Sequence, residues 1–155
     1  MPKYISVKVE PDDKIISIKL NKFNQKALDA VHYRLVWGAN RIRNRMINLM
    51  RHTPKTGKKY RRGKKWHIAS SPGNAPAVDR GQLIRSIVMD EGIDYVEVGV
   101  KSGAPYAAAL EEGTSKAGRG RKTKILPRPF LKPSVAAEMP RIESRIYYDL
   151  NRLGL

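Results

Sequence analysis

The sequence predicts an α+β fold. The expected plan is a small antiparallel sheet of about four strands, a long helix in the N-terminal half and a C-terminal helix on one face, with two basic flexible loops. Three observations predict it. Apolar and polar residues alternate at Ile5, Val7 and Val9 and again at Ile16, Ile18 and Leu20, the period of half-buried strands. Leu28, Val31, Leu35, Ala39, Ile42, Met46 and Leu49 then recur at the spacing of an amphipathic helix. After a breaker-rich stretch, two short apolar runs precede a second helical stripe at Val135, Met139, Ile142, Ile146, Leu150 and Leu153.

Each element has a local reason. Pro11-Asp12-Asp13 is turn chemistry and joins the first two strands as a hairpin. Asn21 and Asn24 are candidate N-caps for the long helix. Gly38 sits inside that helix, where glycine costs ~1 kcal/mol relative to alanine but permits close packing. Thr53-Pro54 ends the helix, because proline biases the residue before it away from helical geometry. Residues 55–78 look loop-like, with a short strand at 65–69. Ser71-Pro72-Gly73-Asn74-Ala75-Pro76 excludes helix and central strand. Runs at 83–89 and 93–100 make a second hairpin about Asp90-Glu91-Gly92, with Val96, Val98 and Val100 on one face and Tyr95 and Glu97 on the other. Asp79, ahead of Gly81, is placed to bond backbone N–H groups and start that strand. Residues 105–112 form a short helix, with Pro105 at its first position, Tyr106, Ala109 and Leu110 on one face, and Gly113 as its C-cap. Phe130 and Leu131 pin the chain to the core between Pro129 and Pro133. Pro140 kinks the last helix or starts it.

With 155 residues the chain is expected to be one domain, 1–155. It has no cysteine, so neither a disulfide nor a thiolate metal site is available, in keeping with a reducing cytoplasm. No apolar run has the length of a signal peptide or approaches the ~20 residues of a membrane helix. The expectation is a soluble protein that is not exported by these routes and has no membrane partner.

The formal charge is +17, and it is unevenly distributed. Residues 51–66 carry eight Lys or Arg and no acid, and residues 115–132 carry seven and no acid. The remainder holds 16 basic against 14 acidic residues. A nearly neutral body therefore bears two glycine-punctuated basic segments, about 51–78 and 115–127, whose self-repulsion disfavours compaction without a polyanion. The candidate binding residues are Lys55, Lys58, Lys59, Arg61, Arg62, Lys64 and Lys65 in the first, and Lys116, Arg119, Arg121, Lys122 and Lys124 in the second. Their partner is DNA, held without sequence reading, or an acidic protein surface. Tyr60 and Trp66 interleave with the first set, as in proteins that stack bases on aromatic rings; the competing role for Trp66 is to pack on the body and anchor the loop. Arg34, Arg41, Arg43 and Arg45 line the exposed face of the long helix, where they are solvated or form a contact face.

No catalytic constellation emerges. Glu111 and Glu112 are adjacent, so on a helix they point about 100° apart and form no carboxylate pair. The expected role of Glu111 is a surface carboxylate paired with Arg85 or a basic loop. His32, His52 and His67 match no metal-helix spacing, and the second basic loop lacks the Gly-Lys-Ser/Thr of a phosphate cradle. No cofactor or metal is expected, and the protein is not expected to be an enzyme.

Three phrases stand in fixed order: ASSPGNAPAVDRGQLIRSI at 69–87, VGVKSGAPYAAALEEGT at 98–114, and RPFLKPSV at 128–135. Together they resemble the small neck and tail-completion proteins of long-tailed bacteriophages, a minor tail-component family. The matching residues are Asp79, Gly81, Leu83, Ser86 and Ile87, then Val98 and Gly99, then Tyr106, Ala107, Glu111, Gly113 and Thr114, then Arg128, Pro129, Phe130, Leu131, Lys132 and Pro133. Arg80 departs from the small polar residue more usual in the family. The resemblance spans about residues 60–135. It implies a small α+β fold and a structural virion protein, made in the bacterial host cytoplasm, that joins the DNA-filled head to the tail. It further implies a homo-oligomeric ring, a hexamer in the virion, with DNA in its channel and connector, terminator and tail-tube proteins as neighbours. The alternatives are a tail terminator that caps tube polymerisation and a free nonspecific nucleic-acid-binding protein.

Overall fold

A computed structural model describes residues 5–9, 15–20, 25–93, 95–101, 103–118 and 120–154, with the backbone alone described at 5–9, 15–20 and 62. The fold is α+β. Strands β1 (Ile5–Val9), β2 (Ile15–Leu20), β5 (Ile87–Glu91) and β6 (Tyr95–Val100) form an antiparallel sheet in the order β1-β2-β6-β5. The register sets Ile16 and Ile18 opposite Val98 and Val96, and Val98 opposite Met89. Val96, Val98 and Val100 are 1–4% exposed, so the alternation in the sequence does mark the core face. The proposed turn at 11–13 and the N-caps Asn21 and Asn24 lie outside the described residues.

Helix α1 (Gln25–His52) lies against β6 and β5. Its buried stripe is Ala27, Val31, Leu35, Gly38, Ala39, Ile42, Met46 and Met50, so the inward face is turned slightly from the expected one and Leu28 and Leu49 sit at its margin. Helix α4 (Leu131–Arg152) packs along α1. The expectation that both helices lie directly on the sheet is corrected in this respect: α4 rests mainly on α1. Gly38 makes that possible, since a Cβ there would stand 2.6 Å from Ile142 Cδ1. Pro140 lies inside α4, which begins nine residues earlier at Leu131. The helix runs through the proline because tertiary packing of Ile142 and Ile146, 0% and 1% exposed, fixes the segment beyond it. Leu153, expected in the stripe, is exposed.

Two further corrections concern the middle of the chain. The first run of the second hairpin does not start at residue 83. Residues Gln82–Arg85 form a single helical turn, α2, and the strand begins at Ile87. Gly81 adopts φ 73° at the head of this turn, a conformation glycine enters without a Cβ penalty. The strand then extends through Asp90 and Glu91, which the sequence placed in the turn. The two basic segments are not simple loops. Each contains a two-stranded antiparallel hairpin: β3 (Lys59–Arg62) with β4 (Lys65–Ile68), and β7 (Thr114–Ala117) with β8 (Thr123–Ile125). The strand expected at 65–69 is β4; high charge hid its partner β3, which has no alternation of apolar and polar side chains.

Candidate functional site: a joint of three phrases beside two basic hairpins

Helix α3 (Ala107–Glu112) ends at Gly113. Its inward residues are Ala107 and Glu111, while Tyr106 is 39% exposed, so the face expected from Tyr106, Ala109 and Leu110 is displaced. Glu111 is not a surface carboxylate, and among the described residues its bonds go to backbone groups rather than to Arg85 or a basic loop. It is 3% exposed, and its oxygens accept hydrogen bonds from three consecutive backbone N–H groups: Phe130 at 2.8 Å, Leu131 at 3.0 Å and Lys132 at 2.9 Å. These are the orphan donors at the start of α4, whose own cap residue Phe130 offers no side-chain bond. A carboxylate from another helix thus supplies the missing cap and places negative charge at the positive end of the α4 dipole. Glu112, next in sequence, lies outside and pairs with Lys132.

The same joint takes in the first phrase. Arg128 donates its backbone N–H to Leu110 O at 2.6 Å and its Nε–H to Ser70 O at 3.2 Å. Gly73 donates to Pro127 O at 2.9 Å. Gly113 has φ 77°, and a Cβ there would meet Pro127 at 2.8 Å, so this position admits no other residue without displacement. Phe130 and Leu131 are each 2% exposed, fulfilling their role as core pins. Ser134 is fully buried and bonds back to Phe130 O at 2.6 Å, and Pro133 follows in the first turn of α4. Ser86 Oγ donates to Gln82 O at 2.9 Å, and its own carbonyl receives the Lys101 N–H at 3.1 Å. Leu83 is in the core. Thr114 Oγ1 accepts the Lys116 N–H at 3.1 Å, steadying the start of β7. Leu83, Ser86, Glu111, Gly113, Arg128, Phe130 and Leu131 are thus held within the fold, and phrases up to about 60 residues apart in sequence meet in space.

Asp79 does not start a strand. Its carboxylate stands 3.4 Å from His67 Nδ1, and His67 meets the Tyr60 ring edge-on at 5.1 Å. Tyr60, His67 and Asp79 thus tie the β3–β4 hairpin to the body, the anchoring role that was one of the two expected of Trp66. Trp66 is instead 63% exposed, with Lys59 Nζ 5.0 Å from its ring centroid. Register explains the exchange. Tyr60 pairs with His67 on the inner face, and Arg61 pairs with Trp66 on the outer one.

Lys55, Lys58, Lys59, Arg61, Lys64 and Lys65 are all exposed, as are Lys116, Arg121, Lys122 and Lys124. Arg119 lies outside the described residues, and for Arg62 the position in β3 alone is described. A cleft of about 510 Å³ separates the hairpins. Lys58, Tyr60 and His67 border it from one hairpin and Thr123 and Ile125 from the other; Arg80 and Arg128 complete a cationic rim, and Val78, Leu83, Ile84 and Leu110 make its walls apolar. Ser70 also lines it, 1% exposed, its Oγ without a hydrogen-bond partner among the described residues.

Of the arginines expected on the exposed face of α1, Arg34, Arg41 and Arg45 are neither simply solvated nor a free contact face, and Arg43 is half-buried. Arg41 Nε and Arg45 Nη1 reach Glu138 at 2.6 and 3.2 Å, and Arg34 pairs with Asp149. Arg34 and Arg41 also flank the Trp37 ring. Burial works to raise the Glu138 carboxyl, but its two arginine partners outweigh it and hold it below the usual carboxylate range; the Arg34 hydrogen bond lowers Asp149 likewise. The expected α4 stripe had no place for a buried Glu138. Its i, i+4 spacing from Ser134 and Ile142 was the available signal.

Among the described residues no three His, Asp or Glu side chains group as metal ligands, and no helix is long and apolar enough to cross a membrane. No family model, no curated protein and no solved structure matches this chain.

Proposed function

We propose that the protein is a structural component of a phage head–tail connector, a neck or tail-completion subunit that assembles as a ring at the top of the tail and joins it to the filled head. The observation that carries this reading is the joint. The three phrases that resemble the family converge through Glu111, Arg128 and Gly73 into one hydrogen-bonded unit, and both basic hairpins border the cleft beside it. In a ring, hairpins carrying this many cations would face the channel and neutralise phosphates without reading bases, or meet acidic surfaces of adjoining connector, terminator or tail-tube proteins. Catalysis has no part in this role, nor has a cofactor. Its place would be the virion, after synthesis in the host cytoplasm.

The exposed Trp66 beneath Lys59 favours one rival, a free nonspecific nucleic-acid-binding protein. Electron microscopy of lysates lacking the gene separates these readings. Filled heads beside detached tails support the joining role, overlong tails indicate a terminator, and infectious particles at normal yield overturn the connector reading. A micromolar affinity for DNA at physiological salt with a steep salt slope would then favour the free binder.

A further inference from the structure

The turn between β5 and β6 carries a feature that the fold leaves unused. Ile93 is 98% exposed. A solitary exposed isoleucine is ordinary, but this one sits at a hairpin tip within the acidic run Asp90-Glu91-Gly92-Ile93-Asp94. The two basic hairpins carry no acid between 51 and 66 or between 115 and 132, so this apolar-tipped knob, with Glu91 beside it, is opposite to them in charge. Asp90 shares its charge with Lys101 at 2.9 Å, and Glu91 is exposed.

The cleft between the basic hairpins has the opposite character. Its walls are apolar, and Lys58, Arg80 and Arg128 stand at its rim. The single carboxylate there, Asp79, is engaged by His67. At about 510 Å³ the space exceeds one isoleucine side chain and accommodates a turn.

Knob and cleft cannot meet within one molecule. Leu83 and Ile84, in the cleft wall, lie in the helical turn before β5, and the knob follows the strand's far end. Four residue steps along a strand span ~13 Å, and the strand holds the two apart rigidly. We infer that the Ile93 turn of one copy docks in the hairpin cleft of a second copy of this chain. A patch that fits a different patch on the same molecule makes a heterologous, head-to-tail contact, which closes into a ring when the rotation permits. The inference rests on the ring reading above and supplies its interface: apolar insertion for affinity, with Glu91 and Asp90 against the cationic rim for register and approach.

The absence of cysteine gives a clean test. A chain carrying both Ile93→Cys and Val78→Cys should, on mild oxidation, form a ladder of disulfide-linked dimers, trimers and larger species. Either single variant should stop at a weak dimer. In parallel, Ile93→Glu should leave the melting temperature unchanged at concentrations below the association Kd, where the side chain is in solvent, while raising that Kd at least about tenfold. Light scattering of the unaltered protein separates the two levels of failure. If it forms oligomers but the double variant gives no ladder beyond the single-variant controls, the docking is wrong and the ring stands. If it is monomeric at every concentration and no ladder forms, docking and ring fall together. A ladder together with loss of association in Ile93→Glu establishes the contact.

Discussion

Removing the Glu111 carboxylate should destabilise the protein more than any other single polar change. The side chain accepts three backbone bonds, at 2.8, 3.0 and 2.9 Å, and two of the donors belong to residues that are 2% exposed. Glu111→Ala leaves the Phe130 and Leu131 N–H groups buried without partners, at ~1–3 kcal/mol each. It also removes a charge from a helix N-terminus, worth up to ~2 kcal/mol in partly buried geometry. The expected loss is about 3–6 kcal/mol, against a total stability of roughly 5–15 kcal/mol. At ~2–4 °C per kcal/mol for a chain of this size, the melting temperature should fall by roughly 10–20 °C. Glu111→Gln keeps the shape and one acceptor oxygen but turns an NH₂ group towards at least one donor, so about half that loss is expected. Urea unfolding followed by circular dichroism measures both, and amide exchange localises the effect at residues 130–132. If both variants lie within ~0.5 kcal/mol of the parent, or if exchange at 130–132 is unchanged, Glu111 is not the cap of α4 and the account of the joint is wrong.

Three further outcomes are expected. Gly38→Ala brings a Cβ to 2.6 Å from Ile142 Cδ1, so overpacking of ~1–3 kcal/mol should exceed the ~1 kcal/mol gained from helix propensity; in an Ile142→Ala background the same change should become stabilising, a sign reversal that a double-mutant cycle by urea titration detects. Glu138 and Asp149 are held below their ordinary values in the fold, so the stability they add is complete above their unfolded range and is lost as pH falls below about 4; Glu138→Gln should be less stable at neutral pH and show a shallower acid limb in urea midpoints measured from pH 7 to 3. Replacing Lys58, Lys59, Arg61 and Arg62 with Gln should leave the melting temperature within ~2 °C of the parent and flatten the salt dependence of any DNA binding; a drop of several degrees would make the hairpin structural.

The periodic elements were legible in the sequence because their signal is local. Alternation gave the strands at the start of the chain and β6, the 3.6-residue stripe gave α1, and Pro54 placed its end within about two residues of His52. Gly113 as a helix stop and Phe130 and Leu131 as core pins followed from single-residue chemistry. The tertiary structure alone decided the rest, since each remaining choice depends on a partner distant in sequence. Glu111 looked like a surface acid because its three donors lie about 20 residues away. Arg34, Arg41 and Arg45 looked solvated because their acids sit on α4, some 93–115 residues on. Trp66 and Tyr60 exchanged roles because a one-residue difference in cross-strand register decides which side chains face inward, and that register cannot be read before the hairpin itself is known. Composition showed where the charge lies; only folding brought the two charged segments to opposite sides of one cleft, because long-range hydrogen bonds, from the Arg128 side chain to Ser70 O and between backbone groups at Gly73 and Leu110, fix where each hairpin leaves the body.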